Sequence, residues 1–288
     1  MRLPRPTGPN HPKAMRLEIK IFCFFASYLA ALGLELWHQL RPRPVLRRLG
    51  QLCGAAGLIA QTYFLVAKPA PLASQYGWML FLAWILAVFY LFGSFHYQRL
   101  AWGVFVLPVV LGLVALGSLG AILDPRSKEP RPNQLFFIDE VLSFQAAHAT
   151  LLLLATVGLC VGFIASLMYL YQAHRLRLKR LPLRGPRMLS LERLETMNRR
   201  AVVLAFPLLT LGLLIGVALM FAQQLSGWND PRVLSAFVLW LAFAVLLYLR
   251  FGAHLRGRQI AVWTIVTFCL LLGCLTLSHP VVGQGGPR

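Results

Sequence analysis

Long apolar segments separated by short polar gaps fill this chain from residue 19 to residue 279. Segments of roughly 17 to 25 apolar residues can cross a hydrocarbon core about 30 Å thick as helices. The apolar runs are continuous and do not alternate with polar residues, which favours helices over barrel strands. The pattern predicts eight spans: Ile19 to Trp37, Leu49 to Ala67, Gly77 to Phe95, Leu100 to Leu123, Leu142 to Tyr171, Ala201 to Phe221, Val233 to Leu249 and Gln259 to Leu277.

The composition agrees with this pattern, because 58% of the 288 residues are hydrophobic and only 13% are charged. We therefore expect an all-α fold, a polytopic transmembrane helix bundle of about eight spans. Residues 19–279 are predicted to form a single transmembrane domain. A basic N-terminal tail (1–18) precedes it and a C-terminal tail (280–288) follows it.

The formal net charge of +19 at first suggests a nucleic-acid partner. Most of the 28 basic residues, however, lie in short gaps between spans, where they set topology and meet anionic lipid headgroups. Nucleic acid is therefore not an expected partner, whereas anionic lipid is. The gaps after spans one, three, five and seven hold 17 of these residues against six in the other gaps and the C-terminus.

The more basic set of gaps should face the cytoplasm, which puts both termini outside and fits a multi-pass protein of a bacterial inner membrane. The basic tail, taken alone, predicts the opposite orientation, but the inner loop 172–200 outweighs it with nine Lys and Arg. Within that loop, the run from Ser190 to Glu195 begins like a short amphipathic helix at the interface. A solvated loop is the alternative.

Two histidines are predicted at the outer surface. His148 lies near the start of span five, which is long enough to project beyond the hydrocarbon core, and His279 follows span eight by two residues. Their predicted depths allow both imidazoles to reach one site. Neutral imidazole is a common axial ligand of haem iron, so the pair could hold a haem between them. For either residue alone, a hydrogen-bonded interface histidine is the alternative.

The outer loop 222–232 separates spans six and seven and carries one tryptophan. Trp228 could cover the edge of a porphyrin, and Arg232, close to Asp230, could pair with a haem propionate. An interfacial tryptophan followed by a helix-starting turn at Pro231 explains the same residues without a ligand. Both interpretations remain open on residue chemistry.

Two further features lie within or beside the spans. His38 and His96 end spans one and three at the predicted inner face, where they would form a second haem position, an entry point or simple interface anchors. Glycines at GxxxG spacing occur in span five (158 and 162) and in span six (212 and 216), and this spacing lets helix backbones approach closely. The glycines are predicted to serve packing.

The residues from Leu189 to His279 resemble the cytochrome c assembly membrane family of the CcsA/CcmC type, and within it the HemX-like branch of eight-helix bacterial proteins. Upstream, His148 at the start of its helix adds to the resemblance. The motifs that carry it are the run Leu189 to Glu195, the run Phe206 to Gly216, Trp228 to Arg232, Trp240-Leu241, Tyr248-Leu249 and Arg256-Gly257-Arg258.

The resemblance implies that haem b is handled at the outer face during attachment to apocytochrome c, beside an assembly partner protein. His148 and His279 match the flanking ligands, while Trp228 and Asp230 match the end of the tryptophan-rich loop. Such a protein would deliver haem or act as an assembly component, and it need not be an enzyme. The family continues Asp-Pro with Lys-Glu, where this chain has Arg232 and Val233. This difference leaves room for a HemX-like regulatory protein that does not bind haem.

A small-solute transporter is the remaining alternative, since eight helices suit one. The sequence shows no charge pair inside a span, no matched pair of broken helices and no internal repeat, and these are the features typical of transporters.

Overall fold

The computed structural model describes residues 11–67, 77–96, 101–123, 144–178, 189–222, 231–253, 255 and 257–277. Eight α-helices account for almost all of these residues and no strand occurs among them, which confirms the predicted all-α class. The helices are α1 His11–Leu40, α2 Pro44–Ala67, α3 Gly77–His96, α4 Trp102–Leu123, α5 Phe144–Arg177, α6 Leu191–Ala222, α7 Pro231–Phe251 and α8 Gly257–Leu277.

All eight helices are long and apolar enough to cross a membrane, as the hydrophobic pattern predicts. Several extend further than the apolar runs that revealed them. α1 begins at His11 and not at Ile19, and α5 continues to Arg177, beyond Tyr171. Backbone hydrogen bonding does not stop where the apolar residues stop, so polar residues outside the hydrocarbon core can remain helical.

The start of α6 differs from the predicted short interfacial helix. Ser190 accepts a hydrogen bond at its Oγ from the amide of Arg193 at 3.3 Å, and its carbonyl accepts one from the amide of Leu194 at 3.1 Å. Ser190 is thus the N-cap of a single 32-residue helix that runs on through Pro207 to Ala222. The amphipathic segment is the first part of the spanning helix and not a separate element.

The helices form two compact units, which comprise residues 1–132 and 133–288. In the first unit α1 packs on α2, α2 on α3, α3 on α4, and α4 returns to α1. In the second unit α5 to α8 make the same closed ring of contacts. Neighbouring helices run antiparallel, as the contacts between α5 and α6 illustrate: His148 meets Gly212, whereas Gly158, further along α5, meets Ala205, which precedes Gly212. Each unit is therefore an up-down-up-down four-helix bundle.

Small residues bring α5 and α6 into close contact in the second unit. A Cβ added at Gly158 would lie 2.9 Å from the Cβ of Ala205, and one at Gly162 would lie 3.4 Å from a methyl group of Val202. The predicted packing role of the GxxxG spacing in span five is therefore confirmed. On the other side of α5, Phe163 stacks on Phe268 of α8 with 4.0 Å between ring centroids. These contacts pack α5 against α6 and α8.

Candidate functional site

His148 lies in the second turn of α5 and is half-buried against α6. Its Nδ1 atom is 2.6 Å from the carbonyl oxygen of Gly212. A carbonyl oxygen can only accept a hydrogen bond, so Nδ1 carries the proton and donates it. In the neutral ring Nε2 then has the free lone pair, which is the arrangement that a metal-binding imidazole needs.

The imidazole lies directly against Gly216, one helical turn beyond Gly212 on α6. A Cβ at position 216 would lie 2.6 Å from Cε1 of His148, 3.0 Å from Nδ1 and 3.4 Å from Nε2. The Cε1 atom therefore faces Gly216, and Nε2 is slightly the more distant of the two ring nitrogens. The glycine pair in span six was predicted to serve packing, and the structure adds a specific partner for it, the ring of His148.

The remaining predicted site residues flank helix ends. In the second unit α6 ends at Ala222, α7 begins at Pro231 and α8 ends at Leu277. Because neighbouring helices are antiparallel, these three termini belong to the same end of the unit as His148. We call it the His148 end.

Trp228, Asp230 and His279 lie outside the residues that the structure describes. Arg232 is in the first turn of α7, but its side chain is likewise outside the description. Of the five candidate residues, the structure therefore gives the surroundings of His148 alone.

The opposite end of the second unit contains a buried polar cluster that the sequence did not reveal. Asn198 of α6 is 4% exposed, and its Nδ2 donates to the carbonyl of Gly162, to Oγ of Ser166 and to Oγ1 of Thr264 at 2.9 to 3.2 Å. Its Oδ1 accepts a 2.7 Å hydrogen bond from Nη1 of Arg250. One amide side chain thus joins all four helices of the unit.

Arg250 near the end of α7 has a side chain that is only 8% exposed. Besides Asn198, it reaches Glu195, with Nη2 3.1 Å from the carbonyl oxygen and 3.9 Å from a carboxylate oxygen. The sequence does not reveal this pair, because the two residues are 55 positions apart, Glu195 precedes the predicted span six and Arg250 follows the predicted span seven. Only the packing of α6 on α7 brings them together.

A buried carboxylate occupies the first unit. Glu35 of α1 is 5% exposed, and the hydroxyl of Tyr90 donates to it at 3.4 Å. Gly103 leaves the space that the carboxylate fills, since a Cβ there would lie 3.0 Å from Cγ of Glu35. Nearby, Arg47 donates to the carbonyl of Ser94 at 2.7 Å and links α2 to the end of α3. The sequence does not predict that Glu35 is buried, because this residue lies close to the end of the predicted span one.

His38 and His96 lie near the C-terminal ends of α1 and α3, as the sequence predicts, and each has a local contact. A ring nitrogen of His38 is 3.0 Å from the carbonyl oxygen of Arg43, and His96 stacks on Phe92 with centroids 5.6 Å apart. Among the described residues, no three His, Cys, Asp or Glu side chains come together as metal ligands do. A haem between two axial ligands needs no such group of three.

Comparison with known proteins gives the family. The family described as cytochrome C assembly protein matches residues 72–281, well over half of the chain. Protein HemX of Bacillus subtilis is 30% identical over 142 residues, which are 46% of this chain and 50% of HemX. The cytochrome c biogenesis protein CcsA of Gloeobacter violaceus is 27% identical, with 85% of this chain and 87% of that protein aligned. CcsA of Mesostigma viride is 22% identical over 93% and 96% of the two chains.

Among solved structures, the chain is similar to cytochrome c haem lyase CcmF, with a TM-score of 0.48 and 18% identity over 97% of this chain and 54% of that one. The matched residues 72–281 include the six helices α3 to α8. The eight membrane-spanning helices and this match agree with the resemblance found in the sequence. The chain is therefore a multi-pass membrane protein that belongs to the cytochrome c assembly protein family.

Proposed function

We propose that this protein handles haem during cytochrome c assembly and binds it at the outer face of a bacterial inner membrane, between His148 and His279. The observation that carries the proposal is the 2.6 Å hydrogen bond from His148 Nδ1 to Gly212. It leaves Nε2 as the ligating nitrogen on a ring that is held against a rigid helix. The chemistry of His148 thus fits an axial ligand of haem.

The helix ends support the second ligand and the loop. α8 runs toward the His148 end and its last described residue, Leu277, precedes His279 by two positions. The segment that contains Trp228 and Asp230 connects Ala222 and Pro231, two helix termini at the same end. In this proposal Trp228 covers the porphyrin, Arg232 pairs with a propionate, and Asp230 orients the loop.

Haem b is then the cargo of the protein, and the chain supplies its ligands, its cover and its orientation. His148 and His279 would hold the haem iron through their imidazole nitrogens. Apocytochrome c and an assembly partner protein are the proposed acceptors. The basic segment 172–200, which comprises the end of α5, the connection and the start of α6, carries nine Lys and Arg and would lie near anionic lipid headgroups.

The proposal is tested by titrating haem into the detergent-purified protein and recording its absorption spectrum. We expect a bis-imidazole spectrum for the wild-type protein, and we expect His148→Ala to lose that spectrum because one axial nitrogen is gone. His174→Ala is the matched control, since His174 lies on the same helix near its other end and is exposed. This variant should bind haem as the wild-type protein does.

Two results would contradict the proposal. One is a wild-type protein that gives no bis-imidazole spectrum at any haem concentration. The other is a spectrum that His148→Ala leaves unchanged. The first result would favour the alternative of a regulatory membrane protein that influences haem synthesis without binding haem. The second would mean that other histidines hold the haem.

A further inference from the structure

We propose that Gly212 and Gly216 are positioning residues for the haem ligand, and that together they hold His148 as the Nδ1–H tautomer, with the lone pair of Nε2 turned away from the Gly212 carbonyl. The inference rests on the proposed haem site and deepens it. It assigns to the GxxxG glycines of α6 a role in ligand orientation that close helix packing alone does not require.

The hydrogen-bond acceptor of His148 is a backbone atom. The oxygen that receives the proton of His148 Nδ1 belongs to the backbone of Gly212, inside the continuous helix α6. A backbone carbonyl in a helix cannot rotate away or titrate, unlike a carboxylate or a hydroxyl. The tautomer is therefore fixed by the helix and not by a side chain that could change its protonation state.

Glycine at position 216 leaves the space that the His148 ring occupies. The imidazole is a rigid ring, and a Cβ at 2.6 Å from its Cε1 atom is closer than real Cβ contacts allow. The atoms in contact belong to the rigid His148 ring and not to the end of a flexible side chain. The whole ring would therefore have to turn or move away from α6. Either movement would break the hydrogen bond to Gly212 and redirect Nε2.

The hydrogen bond to Gly212 also affects how strongly His148 would bind a metal. Donation of the Nδ1 proton to a carbonyl raises the basicity of the imidazole and strengthens its bond to a metal. Axial ligand strength and hydrogen bonding to the ligand are among the levers that set the potential of a haem. Loss of the hydrogen bond should therefore weaken haem binding and raise the midpoint potential, since the weaker donor stabilises the ferric state less.

The same pair of helices offers a matched control. A Cβ at Gly158 would lie 2.9 Å from the Cβ of Ala205 and 3.2 Å from the carbonyl oxygen of Ala201, which is a clash of similar severity between α5 and α6. No imidazole is involved there. Gly158→Ala and Gly216→Ala thus disturb the same interface, and only the second disturbs His148.

The first measurement uses the haem-free protein, so it does not depend on haem binding. In protein labelled with nitrogen-15 histidine, the ring signals of His148 are assigned by their absence in His148→Ala. We expect the wild-type signals to show a protonated Nδ1 and an unprotonated Nε2, and Gly216→Ala to shift them toward the other tautomer. A protonated Nε2 in the wild-type protein would overturn the inference without any variant.

The second measurement compares haem affinity and midpoint potential across wild type, Gly158→Ala and Gly216→Ala. Outer contacts that orient a metal ligand typically change affinity by 10 to 100-fold, so we expect Gly216→Ala to weaken haem binding at least about tenfold and to raise the potential. Gly158→Ala should leave both near the wild-type values.

The outcomes separate the two proposals. If the wild-type protein binds haem but both glycine variants behave alike, the positioning role is refuted and the proposed function stands. If the wild-type protein gives no haem spectrum, the proposed function is refuted and the inference falls with it.

Discussion

The Asn198→Leu variant is expected to lose about 3–5 kcal/mol of stability, because removal of one partner of a buried charged group leaves that group uncompensated. The amide of Asn198 accepts from Arg250 at 2.7 Å and donates to groups on α5 and α8. Leucine is similar in size but replaces none of these bonds. Among the described residues, Arg250, 8% exposed, would keep Glu195 as its hydrogen-bond partner. Unfolding in detergent, followed by circular dichroism, measures the loss.

Two control variants make this prediction specific. Thr196→Leu introduces the same apolar side chain at an exposed position in the same turn of α6, and its stability should stay within about 0.5 kcal/mol of wild type. The double variant Asn198→Leu with Arg250→Met removes both the amide and the charge, so it should recover part of the loss. A double variant no more stable than Asn198→Leu alone would show that the buried guanidinium is not the cause.

The cluster around Asn198 shows where sequence reasoning reaches its limit. The eight spans follow from apolar runs, because the hydrocarbon core imposes their length and leaves helices as the structure that satisfies the backbone. Asn198, in contrast, lies in a gap that the sequence predicts to be a basic loop. Arg250 follows the end of a predicted span, where basic residues typically set membrane topology. Their contact depends on the rotation of α6 and α7 about their axes, which no local pattern of residues specifies.

The candidate site divides in the same way. The depth of His148 was predicted from the length of its span, and the spacing of Gly212 and Gly216 predicted a close helix contact. The sequence could not show that the two features meet, because 64 positions separate His148 from Gly212. The tautomer of the imidazole follows only from the identity of the acceptor atom. The roles of Trp228 and His279 rest on family resemblance and remain proposals.

The Gly93→Ala variant is expected to lose about 3 kcal/mol of stability, at the upper end of what overpacking of a core typically costs. A Cβ at Gly93 would lie 2.5 Å from Cδ1 and 2.6 Å from Cε2 of Trp102. The indole cannot easily yield, because it is 3% exposed and packs edge-on against Phe89 with centroids 5.1 Å apart. Relief would require α3 and α4 to separate. Thermal unfolding in detergent, followed by circular dichroism, measures the change.

Gly33→Ala is the matched control, because Gly33 also lies inside a spanning helix of the first unit, and a Cβ there would meet nothing within 4 Å. Alanine is the better helix former by up to about 1 kcal/mol, so this variant should be as stable as the wild-type protein or slightly more stable. The two substitutions add the same methyl group to a helix and should differ in sign. Equal effects of the two variants would mean that contact with Trp102 does not explain the requirement for glycine at position 93.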